Sequence, residues 1–206
     1  MSGKFTWILD NGHGKDTPGK RSLPLPDGRQ FLEYLFNREI VNTIISLLDE
    51  KGYHSYCLVP EEEDVPLQTR VDRANWLGLS KACILVSVHS NAYGDGSRFT
   101  VPRGIETYYY GASPAGEMLA DVFQENLVQM SGWRDRGVKA DDFYILKHTN
   151  MPAILTETGF YSNREQLEYL LDPEWQIRIA EAHAEAIDEI EKMGPEFFQR
   201  GKRRAA

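Results

Sequence analysis

Long apolar runs are missing from this chain: no stretch of its 206 residues approaches the roughly 20 that a membrane-spanning helix needs, so no integral membrane segment is expected. Cysteine is scarce. Cys57 and Cys83 each sit in an apolar, strand-like stretch and read as buried free thiols rather than a disulfide. Neither falls in a metal-ligand spacing, so any metal here must be held without sulfur. An excess of positive charge is absent too. Lys and Arg number 23 against 31 Asp and Glu, and the net charge of -8 argues against a nucleic-acid partner, which would require a concentrated basic face. The basic cluster Arg200-Gly201-Lys202-Arg203-Arg204 reads as a solvated end. Internal repeats, low-complexity tracts and an interdomain linker are also lacking.

The N-terminus runs from Met1-Ser2-Gly3-Lys4 straight into Phe5-Thr6-Trp7-Ile8-Leu9, without the longer apolar core and small-residue cleavage site of a secretory signal. The expectation is synthesis in the cytoplasm without a signal peptide, or a chain trimmed of one.

What is present is ordinary for a globular chain. Hydrophobic residues at 41% and charged residues at 26% exclude wholesale disorder, and the length suffices for one domain with a sizeable core. Residues 1–193 are expected to form that domain, with 194–206 a basic, flexible tail. A monomer is expected.

Periodicity gives alternating strands and helices. Residues 4–10 read as a buried strand, followed by a Gly/Pro-rich loop from Asn11 to Gln30. From Glu33, Phe36, Ile40, Ile44, Leu47 and Leu48 keep helical spacing until Lys51-Gly52 stops the helix. Tyr53–Val59 is strand-like, and Leu67–Leu79 is helical. Ala82–Val88 and Gly104–Tyr110 read as strands, and Pro114 opens a helix to about Met130. Phe143–Leu146 and Ala153–Thr156 read as further strands, and Pro173 opens a final helix. The pattern predicts an α/β fold: a single domain with a mostly parallel, twisted sheet of about six strands and helices on both faces.

Against that outline, four residues stand out: His13 in Asp10-Asn11-Gly12-His13-Gly14, Glu33, His89 in Ser87-Val88-His89-Ser90-Asn91, and Glu157 in Thr156-Glu157-Thr158-Gly159. His13, His89 and Glu157 fall at strand C-terminal ends, where open α/β sheets bind ligands, and Glu33 heads a helix that can start on the same rim. Two imidazoles and a carboxylate suit zinc with an open position for water, and a further carboxylate beside it can move protons, provided the four converge in space. Each also has a plainer reading. A lone strand-end histidine is commonly a satisfied polar group, and Glu33 alone complements the dipole at a helix start. Glu157 is harder to dismiss, because a carboxylate in an apolar stretch needs a partner. His54, His148 and His183 lack such contexts and are expected to be structural or surface residues.

These segments, together with Glu33-x-x-x-Asn37, Gly104-Ile105-Glu106-Thr107-Tyr108-Tyr109 and Met151-Pro152-Ala153-Ile154-Leu155-Thr156-Glu157-Thr158-Gly159-Phe160-Tyr161-Ser162-Asn163, resemble the zinc-dependent N-acetylmuramoyl-L-alanine amidases of cell-wall hydrolases and phage endolysins. The likeness runs in order from about residue 5 to 190. It implies a zinc amidase domain, Zn2+ held by His13, Glu33 and His89, and Glu157 as the catalytic carboxylate. The implied substrate is peptidoglycan, cut at the amide between N-acetylmuramic acid and L-alanine. In that chemistry zinc-bound water is the nucleophile, its pKa lowered towards about 7, with Glu157 as general base and then acid.

Asp10, Asn91 and Glu106 are candidate supporting or substrate-binding residues. Asp10 would buttress the His13 loop, Asn91 would orient substrate, and Glu106 would hold a ligand imidazole. The chain departs from the usual family pattern at Asn11, where proline is common, and at Thr156 and Thr158, where apolar residues are. Some relatives carry a helix that plugs the zinc site. The segment Tyr93–Arg103 is too short for one, which predicts a site open without an activator, and a separate wall-binding domain is not expected. The readings that stay open are a zinc peptidase acting within stem peptides and a noncatalytic glycan-binding module of the same fold. The missing export signal favours a lysis enzyme of the endolysin type, acting at the bacterial wall.

Overall fold

The computed structural model describes residues 3–199, in which strands and helices alternate as β1 (Thr6–Asn11), α1 (Glu33–Lys51), β2 (His54–Cys57), α2 (Leu67–Gly78), β3 (Cys83–Asn91), β4 (Ile105–Tyr109), α3 (Pro114–Ser131), β5 (Asp135–Ala140), α4 (Tyr144–His148), β6 (Ala153–Phe160), α5 (Arg164–Leu170) and α6 (Pro173–Met193). The strands form one 6-stranded sheet in the order β2-β1-β3-β6-β4-β5. Pairing is parallel except between β4 and β6. The predicted α/β architecture with a mostly parallel sheet is the one observed.

Strand alternation decides which helix covers which face. Trp7, Leu9, Ile84, Val86, Val88 and Ile154 meet the apolar sides of α1, α3 and α6. Ile8, Leu85, Ala153 and Leu155 point the other way, against Ala74 and Leu77 of α2 and Ile145 and Leu146 of α4. In α1, Phe36, Ile40, Ile44 and Leu48 recur every fourth residue and are buried. The helix stops at Gly52, whose φ of 73° lets its N–H reach back to the last turn. Ser113 and Asp172 cap α3 and α6 through their side chains, with proline at the first helical position of each.

Two expectations are corrected. Of residues 143–146, read as a strand, 144–146 belong instead to the short helix α4 and Phe143 precedes it as the N-cap. A four-residue apolar run fits either state, and Ile145 and Leu146 satisfy it by packing against the α2-side core. The sixth strand is β5, Asp-Arg-Gly-Val-Lys-Ala, an edge strand bonded only to β4 and nowhere fully buried. Such a strand carries no apolar alternation to read.

β3 and β6 also run past their expected ends, to Asn91 and Phe160, which places His89 and Glu157 inside strands. At the C-terminus, Gly194–Glu196 form a 3-10 turn and Phe197 is buried against the core. The basic cluster from Arg200 lies outside the described residues. Cys57 and Cys83 are free, Cys83 buried and Cys57 half-buried. Among the described residues no helix is long and apolar enough to cross a membrane.

Candidate metal centre

The centre is assembled where β1, β3 and β6 end and α1 begins. β1 gives way at Gly12, whose N–H donates to the Val88 carbonyl at 3.2 Å and so draws the following loop over β3. A Cβ on Gly12 would lie 2.0 Å from Cε1 of His89, so only glycine lets loop and ring approach this closely. His13 follows with φ 66°, the one non-glycine residue in the left-handed region among the described residues. That conformation costs about 1–2 kcal/mol and requires surrounding contacts to hold it. The contacts come from α1. Asn37 Nδ2 donates to Gly12 O at 2.9 Å, and Arg38 Nη1 donates to His13 O at 3.3 Å.

Asn37 lies one helical turn beyond Glu33, so both side chains leave α1 on the same side. Glu33 is 1% exposed. Its Oε1 sits 3.1 Å from His89 Nδ1 and 3.4 Å from His13 Nε2, and it accepts the Ser90 N–H at 3.3 Å. Ligand-capable atoms of His13, Glu33 and His89 all lie within 4.8 Å of one another. The imidazoles meet edge to face, with 18% and 14% of their side chains exposed. Burial pushes the Glu33 carboxyl up, but the two imidazoles together hold it below the usual carboxylate range. Burial lowers the pKa of His13, outweighing the pull of Glu33, and favours the neutral ring with its lone pair free.

This donor set fits zinc: two neutral-capable imidazoles, one ionised carboxylate, and an opening towards solvent. A second observation agrees. Glu33 Oε2 is buried without a hydrogen-bond partner, its nearest cation being Lys20 Nζ at 3.9 Å.

Glu157 stands beside the trio, with its Cα in register with His89 across the parallel β3–β6 pair. Its Oε2 is also buried without a partner. Burial, reinforced by the charge of Glu33, raises the Glu157 carboxyl well above the usual range. His13, His89 and Glu157 line one cavity of about 300 Å³, which also opens onto Val65, Pro66, Leu67, Phe143 and Tyr144. The connection from β3 to β4 contains no helix.

Of the supporting candidates, Asp10 is buried and accepts from Ser87 Oγ and from Arg70 Nη1 at 2.7 Å. Arg70 also donates to Asn11 O at 3.3 Å and Val65 O at 2.8 Å, which ties the end of β1 to α2. Glu106 does not hold an imidazole. Its carboxylate accepts from Arg136, from Tyr108 OH, from Lys139 Nζ at 2.9 Å and from Asn91 Nδ2 at 3.5 Å. Although burial disfavours its charge, these donors keep Glu106 below the usual carboxylate range. Asn91 thus reaches Glu106 at the edge of the site.

The remaining histidines stay apart from the trio. His148 stacks on Tyr144, and His183 is enclosed in α6. Sequence reasoning singled out Asn37 only as part of Glu33-x-x-x-Asn37, without a role, and missed Arg70 and Lys20. Asn37 had a usable signal in its one-turn spacing from Glu33, whereas Arg70 and Lys20 had none.

A family model described as N-acetylmuramoyl-L-alanine amidase matches residues 8–189. The chain is 34% identical to the endolysin of Bacillus phage SPP1 over 194 residues, covering 91% of this chain and 66% of that protein. It is 31% identical to the N-acetylmuramoyl-L-alanine amidase LytC of Bacillus subtilis, covering 86% of this chain and 34% of that protein. It therefore spans just under two thirds of the first relative and about a third of the second. Among solved structures, the N-acetylmuramoyl-L-alanine amidase of Clostridium difficile 630 superposes with a TM-score of 0.80 at 27% identity, covering 92% of this chain and 97% of that one. AmiC2 of Nostoc punctiforme, another amidase of that name, gives 0.76 at 29% identity, covering 92% and 98%.

Proposed function

The chain belongs to the N-acetylmuramoyl-L-alanine amidase family, and from that membership we propose that it is a zinc hydrolase of the bacterial cell wall, cutting the amide between the lactyl group of N-acetylmuramic acid and L-alanine. The observation that carries the mechanism is the His13–Glu33–His89 trio, whose two imidazoles share a cavity with Glu157, a side chain with one carboxylate oxygen buried and unpartnered.

His13, Glu33 and His89 would hold the ion. When bound, zinc supplies Lewis-acid polarisation of the scissile carbonyl and eases the ionisation of water near neutral pH. Glu157 takes the proton of the attacking water and returns it to the nitrogen of the departing L-alanine. Its burial and the nearby charge of Glu33 favour the protonated form between those two steps. Asp10 and Arg70 hold the floor of the site, and Gly12 lets the His13 loop close on His89.

The glycan-binding alternative has no use for a proton carrier at this position. A stem-peptide peptidase differs in its product. Digestion of purified sacculi followed by mass spectrometry is expected to release peptides beginning with a free L-alanine amine and to leave glycan strands intact. Cuts confined to the interior of the stem would overturn the amidase reading.

A further inference from the structure

Beside the catalytic cavity lies a second recess of about 280 Å³, and Lys20 lines both. The main chain fixes Lys20 there. Its carbonyl accepts the Glu33 N–H at 3.0 Å, and Arg21 forms a bridge with Leu32 just before α1. The walls of the recess come from residues 18–23 and from the β3–β4 connection, with Tyr161 and Ser162 beyond β6 completing it.

Its charge sets this recess apart. Lys20, Arg21 and Arg98 line it. The one carboxylate among its lining residues, Asp95, is already engaged by Ser97, through N–H at 3.0 Å and Oγ at 2.6 Å. Arg21 and Arg98 have no ion-pair partner among the described residues. Of the other exposed arginines, Arg29 pairs with Asp27 and Glu168 and Arg103 with Glu165, whereas Arg134, Arg164 and Arg178 form no ion pair among the described residues either, so the recess is distinguished by gathering two such guanidiniums and a lysine around one concavity. Two unpaired guanidiniums and a lysine around one concavity are complementary to an anion. The far side of the catalytic cavity is different. Val65, Pro66, Leu67, Phe143 and Tyr144 make it apolar, and its rim carboxylate Asp64 is bound to Arg70 at 3.0 Å.

The substrate proposed above has the same asymmetry. On one side of the scissile amide lies an uncharged acetamido sugar, and on the other a peptide whose second residue bears a carboxylate, free or amidated according to the wall. We propose that the Lys20–Arg21–Arg98 recess is the subsite for the departing stem peptide, binds the carboxylate of the residue after L-alanine, and so makes the enzyme prefer the free acid to its carboxamide. The inference rests on the amidase reading and extends it to the peptide side. Binding energy gathered there, away from the reacting atoms, raises kcat/KM.

The test uses two soluble muramyl peptides that differ only in whether the second residue carries a carboxylate or a carboxamide, with wild-type protein and the R21Q/R98Q double variant, both loaded with zinc. Circular dichroism and melting confirm that both are folded. A charge-assisted contact of ordinary strength gives the wild type a preference for the acid of about tenfold, expressed mainly in KM. The preference falls as salt is raised and vanishes in the double variant, which loses more on the acid than on the carboxamide. Equal handling of the two peptides by the wild type, or equal loss on both in the variant, overturns the subsite. Calorimetric binding of the same peptides to both proteins measures the same preference without turnover. Thus a wild type that binds the acid more tightly but cuts neither peptide refutes the amidase reading and retains the subsite, whereas one that cuts both without preference does the reverse.

Discussion

Arg70 and Asp10 form an ion pair of 2.7 Å in which each side chain is only 2% exposed. The pair spans 60 residues of sequence and joins α2 to the end of β1, directly ahead of the His13 loop. Arg70→Met would leave the Asp10 charge buried with Ser87 alone. A loss of about 3–5 kcal/mol is expected in urea denaturation, the usual cost of orphaning a buried charge. Asp10→Asn/Arg70→Met removes both charges and should recover a good part of that loss.

The Glu157 carboxylate is assigned proton transfer and no structural hydrogen bond of its Oε2. Glu157→Gln is nearly isosteric, so the fold and its melting temperature should be kept. Hydrolysis of sacculi, followed by release of new amines, should fall by about a hundredfold to ten-thousandfold. A variant within threefold of wild type removes Glu157 from the mechanism.

Gly12→Ala tests the close approach of loop and ring. The added methyl meets the His89 imidazole, so ring or loop must shift. Zinc affinity, measured by competition with a chromophoric chelator, should weaken by about tenfold to a hundredfold, the range seen when the support of a metal ligand is disturbed.

His183 and Thr156 form a polar pair inside the core. His183 Nδ1 is 2.7 Å from the Ile179 carbonyl and must donate to it, which leaves Nε2 to accept from Thr156 Oγ1 at 3.0 Å. Complete burial lowers the His183 pKa to about 4. The unfolded chain therefore binds this proton more readily than the native one. The contribution is fully present above an ordinary histidine pKa of about 6.5 and is lost as pH falls from there to about 4, for a total of about 3 kcal/mol. Urea midpoints measured from pH 7 to pH 4 should drop accordingly. His183→Gln should flatten that slope while lowering stability at pH 7.

Thr156 is bonded to His183, a partner that sequence alone could not supply because it lies 27 residues away in another element. What was legible came from short-range pattern. The fourfold spacing of Phe36, Ile40, Ile44 and Leu48 located α1 and put Glu33 at its head. Runs of apolar residues located β1 and β3, and with them the rim on which His13 and His89 sit. What was not legible came from contacts across the fold. β5 is polar and sits at an edge, so it left no trace, and the partners that β5 gives Glu106, Arg136 and Lys139, stayed hidden with it. Glu106 was consequently matched to an imidazole it does not touch. Arg70 and Lys20 owe their places to a buried ion pair and to a loop pinned on α1, neither of which has a sequence signature.

The central claim is that His13, Glu33 and His89 grip the ion while Glu157 stands apart from it. Calorimetric titration of zinc into metal-stripped wild type, His89→Ala and Glu157→Gln tests this in one measurement. The account predicts one tight equivalent for the wild type and for Glu157→Gln, and no tight binding for His89→Ala. Tight binding that survives loss of His89, or that disappears with Glu157, would contradict it.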